Sequence, residues 1–160
     1  MPTITGELQC RVEVTSVTSS GSLGDLRQQI RVGTTANVLS FEVVAAKTII
    51  LAASTPQEID LTGLVDDAGV KVFGKVQLFY VRSSSSTAGH KVAVGGGASN
   101  PWTAPFGGTT PTVEAHAGSP ILLTRLLDDG WTVDGTHKTV KLDPGANSQS
   151  VVLIVGGQAP

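Results

Sequence analysis

Short segments in which apolar and polar side chains alternate with a period of two are the feature of this sequence that most restricts its fold. The first segment runs from position 4 to 15, with apolar side chains at Ile4, Leu8, Cys10, Val12 and Val14. Successive side chains of a β-strand point to opposite faces of its sheet, whereas helical spacing would mix the two sets. The segment therefore predicts a long strand with one apolar and one polar face.

Two further segments show strand-like patterns. The segment at 25–32 repeats the alternation, with apolar side chains at Leu26, Ile30 and Val32. The segment KVFGKVQLFYVR at 71–82 carries bulky apolar groups on both faces. A strand that is covered on both faces belongs in the interior of a sheet, so we expect this third strand to be central.

The stretch from Val38 to Ala53 admits two interpretations, because its composition mixes strand-forming and helix-forming residues. Val, Ile, Phe and Thr favour a strand, and Ala favours a helix. One buried helix is compatible with this stretch, and so are two short strands bent around Lys47. Of these, we predict the two strands.

Turn residues separate the apolar segments throughout the chain. In the Pro144-Gly145 pair, for example, proline presets φ and glycine accepts a positive φ. About ten short strands, with turns every 8–12 residues, are typical of a β-sandwich. We therefore predict an all-β fold, an antiparallel β-sandwich or jelly roll, formed by residues 1–160 as a single domain. A closed barrel is the competing topology.

Composition and charge exclude several classes of function. Lys and Arg number 11 against 13 Asp and Glu, a net charge of −2 that argues against nucleic acid or an anionic membrane as the partner. The single cysteine, Cys10, excludes an intrachain disulfide and a cysteine-based zinc site. The first residues lack the pattern of a signal peptide, and no apolar run approaches the ~20 residues of a membrane helix. We expect synthesis and folding in a reducing cytoplasm.

Candidate metal and catalytic residues are few and scattered. A three-histidine metal site, or a calcium loop in DDGWTVDG, would draw on His90, His116, His137, Asp128, Asp129 and Asp134. The histidines lack a metal-binding spacing and the acids lack the EF-hand glycine and glutamate, so solvated strand and turn residues are the preferred interpretation. No catalytic motif or cofactor fingerprint is present. We therefore predict no enzyme activity, no metal and no cofactor.

A Gly- and Pro-rich loop at about 95–111 contains the candidate interaction residues. Loops of this length are usually functional or disordered. The predicted contact set consists of the two aromatic residues of the loop and the two residues that precede the first of them: Asn100, Pro101, Trp102 and Phe106. The aromatic rings serve either as exposed platforms for a sugar or a partner subunit, or as anchors tucked under their own domain.

The C-terminal segments, from TVEAHA to SVVLIVGG, resemble the last strands of small β-sandwich structural proteins of tailed bacteriophages. The matching elements are turns and strands in a fixed order: Gly118, Leu122 and Leu123, Gly130-Trp131, Val140 to Leu142, Pro144-Gly145, and Val151 to Gly156. The resemblance covers less than a third of the chain. It implies an accessory virion protein, such as a capsid decoration, head–tail or fibre component, and transfers no functional residue.

The function we expect from these observations is a non-enzymatic capsid decoration or cementing subunit in the virion. Its partners would be the major capsid protein or other virion subunits, together with further copies of itself as a homo-oligomer. The alternative is a carbohydrate- or receptor-binding β-sandwich module of a tail or head fibre, which would use Trp102, Phe106 and Trp131 as stacking platforms.

Overall fold

The structure, a computed structural model, describes residues 4–6, 11–15, 27–31, 39–126 and 129–160, with side chains described from Phe41 onward. Every regular element in these residues is a β-strand, which confirms the predicted all-β class. In chain order the strands are β1 (Ile4–Gly6), β2 (Arg11–Thr15), β3 (Arg27–Arg31), β4 (Leu39–Phe41), β5 (Val43–Leu51), β6 (Gln57–Asp60), β7 (Leu64–Asp66), β8 (Gly69–Lys71), β9 (Lys75–Ser83), β10 (Lys91–Gly95), β11 (Thr112–His116), β12 (Ile121–Thr124), β13 (Trp131–Thr132), β14 (Thr139–Asp143) and β15 (Gln149–Gln158).

The N-terminal strands form two short pairs. β2 pairs antiparallel with β3, with Val12 opposite Ile30, and β1 pairs with β4. The strand predicted at 25–32 is thereby confirmed as β3. Within the single long strand predicted over 4–15, the structure describes β1 and β2, and the continuity between them stays a prediction. Leu8 and Cys10 lie outside the described residues.

The chain divides into two compact units, one of Thr5–Ser40 and one of Met1–Ile4 with Phe41–Pro160. The larger unit contains a five-stranded sheet of order β12-β9-β15-β5, in which β13 also pairs with β9, and a four-stranded sheet of order β11-β10-β14-β6. All of these pairings are antiparallel. Two sheets with separate edges make this a sandwich rather than a closed barrel. The jelly-roll connectivity and the single domain over 1–160 stay predictions.

One hydrophobic core joins the two sheets. Its members alternate along each strand with residues that face away, as expected when one face of a sheet is buried. The five-stranded sheet contributes Ala45, Ile49, Leu51, Val76, Phe79, Val81, Ile121, Val151, Leu153 and Val155, and the four-stranded sheet contributes Ile59, Val92, Val94, Ala115, Val140 and Leu142.

The central strand of the five-stranded sheet is β9, as the sequence predicts. It lies between β15 on one side and β12 and β13 on the other. The predicted strand is wrong in its first residues, since Val72, Phe73 and Gly74 separate β8 from β9. The fully buried Phe73 turns into the core, and a Cβ on Gly74 would stand 2.7 Å from the Pro160 Cα atom. Contacts with distant residues therefore end the strand.

A β-bulge shifts the alternation of β9. Gly156 lies opposite Leu78 and Gly157 opposite Val76, so that Gln77 has no partner in β15. A bulge places an extra residue in one strand and moves the following side chains to the other face. Val76 consequently lies in the core, while Leu78 faces away from it.

The stretch from Val38 to Ala53 forms strands, as predicted, but the break lies elsewhere. β5 continues through Lys47, which stands opposite Leu153 in an unbroken antiparallel ladder. The interruption falls at Glu42, whose carboxylate accepts a hydrogen bond from the Ala159 N–H at 3.0 Å. The bend predicted at Lys47 is wrong, because β5 is an edge strand from which a long side chain can reach water.

A buried polar bridge joins the two sheets at one end of the sandwich. The Ser83 hydroxyl donates to Gln149 Oε1 at 2.7 Å, and Gln149 Nε2 donates to the carbonyl of Lys91 at 2.7 Å. Ser83 and Gln149 belong to the five-stranded sheet and Lys91 to the other. Because an unpaired amide in this position would be costly, the bridge favours one alignment of the sheets.

Candidate interaction surface

Residues 96–111, within the predicted loop, connect β10 to β11, but Trp102 does not lie on the surface of this connection. Only 1 % of the Trp102 side chain is exposed. Its indole Nε1 donates to the Thr132 carbonyl at 3.1 Å, which satisfies the one polar atom of the ring. The expectation of Trp102 as a contact platform is therefore wrong, and the tucked arrangement is the one observed.

Three other aromatic rings surround Trp102. Phe79 lies 5.6 Å away between ring centroids, Trp131 lies 5.9 Å away and Phe106 lies 6.1 Å away. The last two meet the Trp102 ring nearly edge-on, at 89° and 83°, an arrangement that aromatic quadrupoles favour. Phe106 and Trp131 are partly buried against the core. The rings considered for sugar stacking thus pack on one another.

The loop backbone is attached to the first residue of β14. The Asn100 carbonyl accepts hydrogen bonds from the N–H groups of Lys138 and Thr139 at 2.8 and 3.0 Å. Pro101 forms an isolated parallel bridge with Thr139, and the N–H of Trp102 donates to the Thr139 carbonyl at 2.9 Å. The loop therefore lies beside the start of β14, at Thr139, whereas β10 pairs with the end of β14, at Leu142 and Asp143.

Asn100 is the member of the predicted contact set that remains exposed. Its φ of 50° lies in the left-handed region, which asparagine tolerates better than most residues. Pro101 and Phe106 are partly buried. A contact role for Asn100, Pro101 and Phe106 stays a prediction.

The histidines and acids considered as metal ligands have other partners. The Ser85 hydroxyl and His90 Nδ1 are 2.9 Å apart, His116 Nε2 lies 3.3 Å from Glu114, and Lys75 pairs with Asp129 at 2.9 Å. Asp128 lies outside the described residues. Within the part of the chain that the structure describes, no three His, Cys, Asp or Glu side chains group as metal ligands.

Asp134 organises a tight turn through its carboxylate. The hydroxyl and N–H of Thr136 donate to Oδ1 at 2.8 and 2.7 Å, and the N–H of His137 donates at 2.9 Å. Hydrogen bonds from the Thr136 side chain and backbone lower the pKa of the Asp134 carboxyl from 3.8 to about 2. The turn is therefore stabilised by the ionised form.

A pH dependence follows from the lowered pKa of Asp134. The unfolded chain takes up the proton first as pH falls, so the stabilisation is complete above about pH 4 and is lost as pH falls through about 2. Asp134→Asn keeps an oxygen acceptor without a titrating group. Its free energy of unfolding, measured by urea denaturation, should fall less than that of the wild type between these pH values. Parallel curves for the two proteins would contradict this assignment.

The outward face of the four-stranded sheet is polar. Lys91 stands opposite His116, and Lys141 stands opposite Glu58. The Lys91 ammonium also lies 2.6 Å from the Glu114 carboxylate on the neighbouring strand. Charged pairs of this kind are typical of the solvated face of an antiparallel sheet.

The outward face of the five-stranded sheet is mainly apolar. Its central row, read across four paired strands, consists of Leu122, Tyr80, Ile154 and Ala46. Leu78 and Val152 lie in the rows on either side, and Arg82 contributes the charge of this region. We call these residues the outer apolar face: Ala46, Leu78, Tyr80, Leu122, Val152 and Ile154.

Part of this side of the sheet is already covered by an aromatic ring. A Cβ on Gly156 would stand 3.1 Å from the ring of Phe41, which is 9 % exposed. The absence of a side chain at Gly156 therefore lets Phe41 lie against the sheet. Farther along the same side, Leu122 is 38 % exposed and Ala46 is also exposed.

The sequence contains a signal for this face that the strand-by-strand prediction did not use. In β15 the apolar residues do not alternate with polar ones: Val151, Leu153 and Val155 enter the core, whereas Val152 and Ile154 face outward. Apolar residues on both faces indicate a strand that is covered twice. β9 carries apolar residues on both faces as well, so β9 and its neighbour β15 share this pattern.

Comparison with known proteins adds no assignment: no family model, curated protein or solved structure matches the chain significantly. Among the described residues, no helix has the length and apolar character needed to cross a membrane. The fold and surface thus define an all-β sandwich with one polar and one mainly apolar outward face.

Proposed function

We propose that this protein is a non-enzymatic structural subunit of a tailed-bacteriophage virion, a capsid decoration subunit that binds the capsid lattice through the outer apolar face. The observation that supports this proposal is the contrast between the two sheets, since only one of them has the charged outward face of a solvated sheet. Synthesis in the host cytoplasm, location in the virion and contacts between neighbouring copies belong to the same proposal.

The size of the outer apolar face favours a lattice over a free dimer. Strands about 4.8 Å apart and same-face residues about 6.8 Å apart give a span of roughly 400 Å² for three rows across four strands. The accessible area is smaller, because Leu78 is 8 % exposed and Tyr80, Val152 and Ile154 are half-buried. A standard stable interface buries about 800 Å² per partner. Two copies associating through this face alone would hold weakly, whereas copies that bind a repeating shell and also contact one another gain from several simultaneous contacts.

A lysine in the central row tests the proposed contact. Ile154→Lys places a charge where apolar surfaces meet, and leaving that charge unpaired and desolvated is costly. We expect binding to weaken at least about tenfold, which corresponds to about 1.4 kcal/mol. The measurement is co-sedimentation of the purified protein with capsids assembled from the major capsid protein of the same phage.

Thr112→Lys is the matched control for this experiment. Thr112 is exposed on β11 and lies in the outward row of the other sheet with Glu114 and His116, so its replacement should leave binding within about twofold of the wild type. Equal loss in both variants, or no capsid binding by the wild type, would contradict the proposal. A free energy of unfolding lowered by several kcal/mol in Ile154→Lys would also contradict it, since the free protein would then already bury this face.

Trp fluorescence with a glycan series separates the proposal from the carbohydrate-binding alternative. The burial of Trp102 and its packing against Phe106 and Trp131 leave no three-ring platform of the kind that alternative requires. We expect no quenching by any sugar. Saturable quenching would instead support the fibre-module function.

A further inference from the structure

We propose that Lys47 prevents this protein from associating edge to edge through β5. The inference concerns self-association of the folded chain and does not depend on the proposed virion role. It rests on three observations, which are the length of the β5 edge, its composition, and the row of side chains to which Lys47 belongs.

The edge formed by β5 is long. Nine residues, Val43–Leu51, pair with β15 on one side, and among the described strands none pairs with β5 on the other. At about 3.3 Å per residue the edge extends roughly 30 Å, longer than a typical strand of five or six residues. The β7–β8 hairpin lies beside β5, but its strands have three residues each and are too short to cover this length.

The composition of β5 is that of a segment prone to strand pairing. Its sequence is VVAAKTIIL, with no proline or glycine and with one charged residue, Lys47. Short segments with high β propensity, low charge and no proline are the usual templates for edge-to-edge aggregation. Without its lysine, β5 would present an uncharged edge along its whole length.

Lys47 lies on the core side of this edge strand. Its neighbours on the same face are Ala45 and Ile49, which are 1 % and 4 % exposed, and it stands opposite the buried Leu153. Lys47 itself is partly exposed, in contrast to Ala45 and Ile49, its buried neighbours on the same face. Its partial exposure at the edge of the sheet gives the long side chain a route by which its ammonium group can reach water.

Pairing of another strand with β5 would remove this access to water. An added strand would extend the sheet past Lys47 and leave its ammonium group between two apolar layers without a counter-ion. An unpaired charge in such a position is strongly unfavourable. In a symmetric antiparallel pair centred on Lys47, two ammonium groups would also face each other. Inward-pointing charges on edge strands protect other sheets by the same means.

The test compares Lys47→Val with Thr48→Val by sedimentation velocity across a wide range of protein concentration. Lys47→Val removes the charge, and we expect it to form larger species than the wild type at equal concentration while keeping a native circular-dichroism spectrum and an undiminished Tm. Thr48→Val adds the same side chain on the outward row of the same strand and retains Lys47. We expect its mass distribution to match that of the wild type.

Amide hydrogen exchange identifies the surface that associates. In the larger species of Lys47→Val, exchange across Val43–Leu51 should slow relative to the wild type. Lys47→Glu keeps a charge at the position and should sediment like the wild type. Unchanged sedimentation of Lys47→Val, equal association of Thr48→Val, or unchanged exchange along β5 would each overturn the inference.

Discussion

Trp102→Ala should lower the free energy of unfolding by about 3–5 kcal/mol, the cost of removing a large aromatic side chain from a packed core. Trp102 is 1 % exposed and contacts Phe79, Phe106 and Trp131, so its removal leaves a cavity that rigid strands on both sides cannot fill. A domain of this size has about 5–15 kcal/mol of stability in total. The measurement is urea denaturation followed by circular dichroism.

Two further variants distinguish the contributions of Trp102. Trp102→Phe keeps an aromatic ring but loses the hydrogen bond to the Thr132 carbonyl, and its loss of stability should be smaller than that of Trp102→Ala. Ala104→Ser changes an exposed position of the same loop and should remain within about 0.5 kcal/mol of the wild type. A loss below about 1 kcal/mol in Trp102→Ala would contradict the burial of the ring.

Gly157→Ala should have the second largest effect. We expect it to lower the free energy of unfolding by about 3 kcal/mol, the upper end of the range that overpacking usually costs. A Cβ at this position would stand 2.0 Å from the carbonyl oxygen of Lys75 and 3.0 Å from the Val76 Cα atom. Both are backbone atoms of the paired strand, so no side-chain rotation relieves the clash. Relief requires β9 and β15 to separate at the bulge, which weakens the centre of the sheet.

Gly63→Ala is the matched control for Gly157→Ala. A Cβ on Gly63 would meet no atom within 4 Å, and its φ is outside the left-handed region. Its stability should stay near that of the wild type or rise by about 0.4–1 kcal/mol, because alanine restricts the unfolded chain. Equal effects of the two substitutions, measured by urea denaturation, would contradict the close approach of the strands at Gly157.

The strands and turns that the sequence predicts correctly are those specified within a few residues. The alternation in HKVAV yields β10, and the DDAG turn lies between β7 and β8. Pro144-Gly145 forms the predicted turn, with a φ of 59° at Gly145. Side-chain direction and turn conformation depend on neighbouring residues, which is why sequence reasoning succeeds for them.

The strand breaks were not predictable in the same way. β5 continues through Lys47 because β15 pairs with it along its whole length, and β9 begins after Gly74 because the C-terminal residues pass close to that glycine. Contacts with residues more than eighty positions away in the chain decide both outcomes. No pattern within the segment itself carries this information.

In the candidate interaction surface, too, the outcome depended on contacts between residues that are distant in sequence. From sequence, the aromatic residues of the loop were the natural contact candidates, yet Trp102 fills a gap in the core that exists only once the two sheets are packed. The apolar residues on both faces of β15 are a signal in the sequence, but the outward row is formed only by the strand order, which brings Leu122, Tyr80, Ile154 and Ala46 side by side.

By itself, the sequence determined that this chain is extended and that turns separate its strands, because side-chain alternation and turn chemistry act locally. The tertiary structure alone decided which aromatic rings are buried, where strands break and which sheet has an apolar outward face. These properties depend on contacts between residues that are distant in sequence, and such contacts are defined only by the assembled sheets.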